Sequence, residues 1–146
     1  MRGIFDRLGK LVPGYQGYSD KNIARETDYQ LRLFAQKKIE EYIYFIEKNK
    51  LSLSDEVFIN VDNAQNDLRL ICTKLKNQKH GYETLFARSK DHSKSLKIKL
   101  EAVIENDTKL IELINDIPDS DINAELINNL AINLDQIINT RKNILG

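Results

Sequence analysis

The chain predicts an all-α fold: an elongated up-down four-helix bundle preceded by a short amphipathic leader. Three observations lead there. No glycine or proline stands between Tyr18 and His80, and long uninterrupted helices need that absence, because proline removes a backbone donor and glycine costs conformational entropy. Apolar residues recur in alternating steps of four and three over residues 57–75 and close to it again over 96–117, which is the spacing of a packed helical seam. Breakers fall between these stretches, at Pro13-Gly14, Gly81 and Pro118. The bounds read as 1–18 for the leader and its turn, and 19–146 for the bundle.

In the leader, Ile4, Phe5, Leu8, Leu11 and Val12 share one helical face, with Arg7 and Lys10 elsewhere on the wheel. So short a helix is marginal alone in water and needs an apolar surface to fold against. That surface is a partner, a membrane or an open groove of its own bundle. The turn Pro13-Gly14-Tyr15-Gln16-Gly17-Tyr18 ends it. Ser19 is then the expected N-cap, with Asp20 in the first turn of a helix on the order of 45 Å long. Its stripe is Ile23, Thr27, Leu31, Phe34, Ile39, Tyr42 and Ile46.

Residues 50–54 read as a connection capped by Ser54. The second helix places Val57, Val61, Ala64, Leu68, Ile71 and Leu75 on its seam, with Cys72 at the flank as a buried packing residue. A break falls somewhere from Lys79 to Lys94, with Gly81 suited to a left-handed helix end and Tyr82, Leu85 and Phe86 forming a short apolar cluster. The third helix carries Leu96, Leu100, Val103, Asp107, Leu110, Ile114 and Ile117 on its seam. Asp107 is the odd member, because a carboxylate there must find a partner or reach solvent; Arg25 or Tyr82 is the expected partner. Pro118 stops this helix and Asp119 or Ser120 caps the last, whose stripe is Leu126 or Ile127, Leu130, Leu134, Ile137 and Ile144.

The segment Leu11-Val12-Pro13-Gly14-Tyr15-Gln16-Gly17-Tyr18, followed by Arg25, Asp28 and Leu31-Arg32, and the later Gly81-Tyr82-Glu83-Thr84-Leu85-Phe86, resemble motifs of a family of small uncharacterised bacterial all-helical proteins. Members also carry an acid two or three turns into the following helix, which here corresponds to Asp107. The resemblance implies helical architecture and a break near Gly81; it implies no activity.

At 146 residues, a single domain of this kind buries roughly two-thirds of its unfolded surface and needs no disulfide, metal or cofactor to hold it. One cysteine fits a reducing compartment. No secretory signal or membrane span is expected, so the cytoplasm is the expected location, with the inner face of the membrane as the place where an inserted leader would act. Net charge is zero, yet residues 69–99 hold nine basic against two acidic side chains, and residues 101–135 hold nine acidic against one basic. Two solvated helix faces lying near each other would neutralise this inside one molecule.

The chemistry-bearing patterns fail one by one. His80 and His92 lack the Glu-x-x-His spacing of a carboxylate-bridged metal bundle. One cysteine with two histidines is too few for zinc. No Walker loop, nucleophile elbow or dinucleotide fingerprint is present. Neither catalytic nor cofactor or metal residues are expected. Nucleic acid has only the basic stretch in its favour, beside an acidic half that repels phosphate. The expected role is a non-enzymatic interaction or scaffold module docking on a protein partner or on copies of itself. The alternative is a peripheral membrane module using residues 1–12 as an interfacial helix. The contact candidates are Ile4, Phe5, Leu8, Leu11, Tyr15, Tyr18, Tyr82 and Phe86, with the two N-terminal tyrosines otherwise serving as a folded lid on the first helix.

Overall fold

The computed structural model describes residues 8–78, 93–118 and 120–145. Among them the regular structure is entirely helical: α1 (Lys21–Asn49), a 3-10 turn (Lys50–Ser52), α2 (Asp55–Lys76), α3 (Ser93–Asn115) and α4 (Ala124–Leu145). Residues 8–11 add one helical turn ahead of α1.

Asp20, not Ser19, caps α1: its Oδ1 accepts the Ile23 amide at 2.9 Å. The buried face of α1 is Ala24, Thr27, Asp28, Leu31, Arg32, Ala35, Ile39, Tyr42 and Ile46. Ile23 and Phe34 stand only half-buried at its edge, because the interior face carries the charged Asp28 and Arg32. Ser54 occupies the N-cap of α2 but makes no side-chain cap bond; Asp55 and Glu56 oppose the positive helix end instead. The α2 interior is Val61, Ala64, Gln65, Leu68, Cys72 and Leu75. Val57 is 42% exposed and Ile71 half-buried, so the expected seam gives way at both places and Cys72 takes the inner position.

α3 buries Val103, Ile104, Asn106, Asp107, Leu110, Ile111 and Ile114, with Leu96, Leu100 and Ile117 packed against the edge of the core. Asn123, rather than Asp119 or Ser120, caps α4: its Oδ1 accepts the amides of Glu125 (2.8 Å) and Leu126 (3.3 Å). Before that cap the chain must cross from one helix to the next, and the Tyr42 hydroxyl holds the crossing by donating to the Asp121 carbonyl at 3.1 Å. On α4 the inner residue is Ile127, and beyond Leu134 it is Ile138, Arg141 and Leu145 that are buried. The expected Ile137 and Ile144 lie one position off the true four-three continuation from Leu134. The Gly81 helix end falls outside the described residues; α2 itself stops at Lys76.

α1 packs on α2 and α3, and α4 packs on the same two helices; the α2–α4 contact is the most extensive of the four and the α1–α3 contact the thinnest. The basic and acidic stretches meet across α2 and α4, where Lys74 Nζ lies 2.6 Å from Asp135 Oδ1 and 2.6 Å from Asn139 Oδ1. No helix of the described residues is long and apolar enough to cross a membrane.

Leu68 is fully buried and Leu70, two residues on, is 69% exposed. Leu68→Ala is expected to cost about 2–5 kcal/mol in urea unfolding, and Leu70→Ala less than about 0.5 kcal/mol. Equal costs would place the wrong face of α2 inward.

Candidate functional site

The densest chemistry sits where the N-terminal segment crosses the α1–α3 seam. Residues 8–11 turn once, sending Leu8 and Val12 into the core and leaving Leu11 36% exposed. Gly14 (φ 88°) and Gly17 (φ 82°) then take left-handed conformations, which side chains resist. A Cβ on Gly14 would also stand 2.6 Å from Gln30 Cγ. The two reversals turn Tyr15 and Tyr18 to the same side, ring edge against ring face at 6.0 Å. The Gln16 amide donates to Thr27 Oγ1 at 3.1 Å and ties the segment to α1.

Both phenols converge on one carboxylate. Tyr15 donates to Asp107 Oδ2 at 3.1 Å, and Tyr18 donates to the same oxygen. Asp107 Oδ1 accepts from Arg141 Nε on α4 at 3.0 Å. The Arg141 guanidinium also pairs with Asp28 on α1 and donates to the Tyr18 hydroxyl at 3.3 Å. Asp28 in turn holds Arg32 at 2.9 Å, and Arg32 donates to the Lys76 carbonyl at the end of α2 at 3.1 Å. One network thereby joins the N-terminal segment and all four helices. Asp107 is 0% exposed, Asp28 and Arg141 1%.

Two carboxylates and two guanidiniums balance within this cluster, which is the condition for burying charge at tolerable cost. Burial pushes the Asp107 carboxyl above the usual carboxylate range, against the opposing pull of Arg141 and of the two phenols. Burial likewise pushes the Tyr15 hydroxyl well up, reinforced by the neighbouring Asp107 charge. Both Asp107 oxygens are engaged by protein donors, and the carboxylate is fully enclosed.

A second polar knot, with Lys50 and Gln65 buried and Glu47 and Asp62 partly exposed, closes the α1–α2 hairpin. Lys50 Nζ lies 2.8 Å from both Asp62 Oδ1 and Glu47 Oε2, and 2.9 Å from Gln65 Oε1. Gln65 donates to Glu47 at 2.9 Å and to the Ile43 carbonyl at 3.1 Å. These bonds from Lys50 and Gln65 hold the Glu47 carboxyl down at about 2. Cys72 is buried beside the Gln36 carbonyl, and burial pushes its thiol up to about 11; a reactive thiolate needs the opposite shift.

Lower on the α1–α3 seam lies an open groove of about 340 Å³, lined by Lys38, Tyr42 and Phe45 from α1 and by Ile114, Ile117 and Pro118 from the α3 end. The Tyr42 and Phe45 rings stack at 6.5 Å.

Of the contact candidates, Leu8, Tyr15 and Tyr18 are buried and Leu11 is exposed; Ile4, Phe5, Tyr82 and Phe86 lie outside the described residues. The partners of Asp107 are Arg141, Tyr15 and Tyr18 in place of the expected Arg25, which stands exposed on α1. Sequence reasoning missed Arg141, and it named Asp28 and Arg32 as motif residues without a role. The available signal was position: Arg141 continues the four-three steps of α4, and Asp28 and Arg32 are four apart beside Thr27 and Leu31. Among the described residues no group of three or more metal-ligating side chains is assembled. No family model, no curated protein and no solved structure matches the chain.

The depressed Glu47 pKa gives stability that is complete above the ordinary value of 4.5 and is lost as pH falls through about 2. Lys50→Met is expected to move the Glu47 titration, followed by carboxyl NMR, part of the way toward 4.5 and to weaken that acid-side dependence, with Gln65 and Arg69 still bonded to the carboxylate. A wild-type Glu47 already titrating near 4.5 would contradict the knot.

Proposed function

We propose that this chain is an elongated up-down four-helix bundle acting as a non-enzymatic interaction module, of the bacterial kind its Leu11 to Tyr18 motif resembles, docking on a protein partner or on a second copy. The observation that carries the reading is the contrast between its two polar and aromatic features. The charged cluster is closed upon itself, with Asp107 and Arg141 at 0% and 1% exposure. The groove sets Phe45, Ile117 and Pro118 beside the polar Lys38, Glu41 and Asn115, over a buried floor of Tyr42 and Ile114, the mixture of apolar centre and polar rim found in a protein contact. The up-down order is supported by the contacts: Arg32 early in α1 meets the end of α2, and Asp107 in the middle of α3 meets Arg141 late in α4.

The membrane alternative asks the leader's apolar face to enter lipid. Leu8 and Val12 belong to that face and are 1% and 0% exposed, so insertion would have to empty their places in the core.

A photo-crosslinking residue placed at Lys38 on the groove rim, in the native cell, is expected to trap one discrete protein adduct, and the same residue at the exposed Asn63 of α2 none. Equal labelling from both positions, or none from Lys38, would contradict the groove. On anionic vesicles the full chain is expected to stay in the supernatant; pelleting that Leu11→Asp abolishes would favour the membrane module instead.

A further inference from the structure

We propose that residues 8–18 are a releasable strap, a segment that opens as a unit while α1 to α4 stay packed. The geometry at Asp107 separates the two functions of that carboxylate. Oδ1 serves the bundle through Arg141, and Oδ2 serves the strap through Tyr15 and Tyr18. Removing the phenols leaves the Asp107–Arg141 and Asp28–Arg141 pairs with their partners, and water can take the vacated oxygen and the Arg141 Nη2 donor that Tyr18 held.

The backbone points the same way. The strap's own described backbone bonds are local, Val12 to Leu8 (2.8 Å) and Tyr15 to Val12 (3.1 Å). Its amide bond to the bundle goes to a side chain, from Gln16 to Thr27. Two left-handed glycines bracket Tyr15, and the Asp20 cap fixes the start of α1 as a pivot immediately beyond the strap. The strap also lies across α1 and α3, the thinnest of the four helix contacts, so the more extensive α1–α2, α2–α4 and α3–α4 contacts do not run through it. Segments with few regular backbone bonds, held to the rest of the molecule by side chains, open below the free energy of global unfolding.

Opening changes what the molecule offers. Leu8, Val12, Tyr15 and Tyr18, all buried in the closed form, become available to a protein partner. That consequence rests on the interaction reading above; the opening itself does not.

Native-state hydrogen exchange on the full chain tests it. The amides of Val12, Tyr15 and Gln16 are expected to exchange about 100-fold faster than those of Leu68 and Leu134, with little dependence on low urea. Tyr15→Phe combined with Tyr18→Phe is expected to accelerate the strap amides about 10-fold further while leaving the Leu68 and Leu134 amides near their wild-type rates. A disulfide between Gln16→Cys and Thr27→Cys, in a Cys72→Ala background, should abolish the fast exchange. The proposal is overturned if the strap amides share the rate and urea slope of the helix interior, or if the double phenylalanine variant accelerates both sets equally. Should that variant not fold, the wild-type urea slopes decide. Exchange that behaves as expected while Lys38 traps no protein would keep the strap and discard the interaction module.

Discussion

One buried carboxylate sets the terms for the rest of the molecule. Asp107 lies on the inner face of α3, where an apolar residue would pack without electrostatic cost, and it is fully enclosed. Isolated in such a place a carboxylate would be strongly destabilising. Here it is answered by Arg141 from α4 and by two phenols from the N-terminal segment, and Arg141 is answered by Asp28 from α1. Each of the three charges is tolerable only because its opposite is present. Replacing such a set by apolar residues is often neutral or stabilising, whereas removing one partner alone costs about 3–5 kcal/mol. The charge pairs therefore serve as a register device: they accept one arrangement of α1, α3 and α4 and penalise the rest.

The shape of the α1–α3 seam follows from that device. These two helices touch least among the packed pairs, and the upper part of the seam is filled by Leu8, Val12, Tyr15 and Tyr18, which belong to the common core. Lower down no described residue corresponds to the strap, and the helices leave the groove between Tyr42, Phe45, Ile114 and Ile117. Tyr42 limits how far that end can open, because its hydroxyl is bonded to the Asp121 carbonyl. The α1–α2 hairpin is fixed separately through Lys50 and Gln65, so the strap can respond without disturbing it.

Much of the helical framework was legible because it depends on local rules. Missing glycine and proline, the apolar steps of α2 and α3, and Pro118 place helices where they occur. The seam position of Asp107 announced a buried carboxylate in need of partners, and Cys72 announced itself as packing. What could not be read were choices made by tertiary geometry. Asn123 caps α4 because the connection from α3 needs several residues to cross, a distance that local propensity does not encode. Ile138 and Leu145 displaced Ile137 and Ile144, since neighbouring apolar residues satisfy a periodic pattern almost equally well. Arg141, Asp28 and Arg32 were invisible as core because a charged residue is ordinarily a surface residue, and only pairing across helices reverses that rule. The same holds for Tyr15 and Tyr18, whose inward direction is decided by two glycines and a carboxylate 92 and 89 residues away.

The most direct test is a double-mutant cycle on Asp107 and Arg141, with Asp107→Leu and Arg141→Met measured singly and together by urea unfolding. If the pair sets the register, each single change is strongly destabilising and the double variant recovers much of the loss, with a coupling above about 2 kcal/mol. Single effects that simply add, or an Arg141→Met variant as stable as the wild type, would mean that the helices are held in place without it.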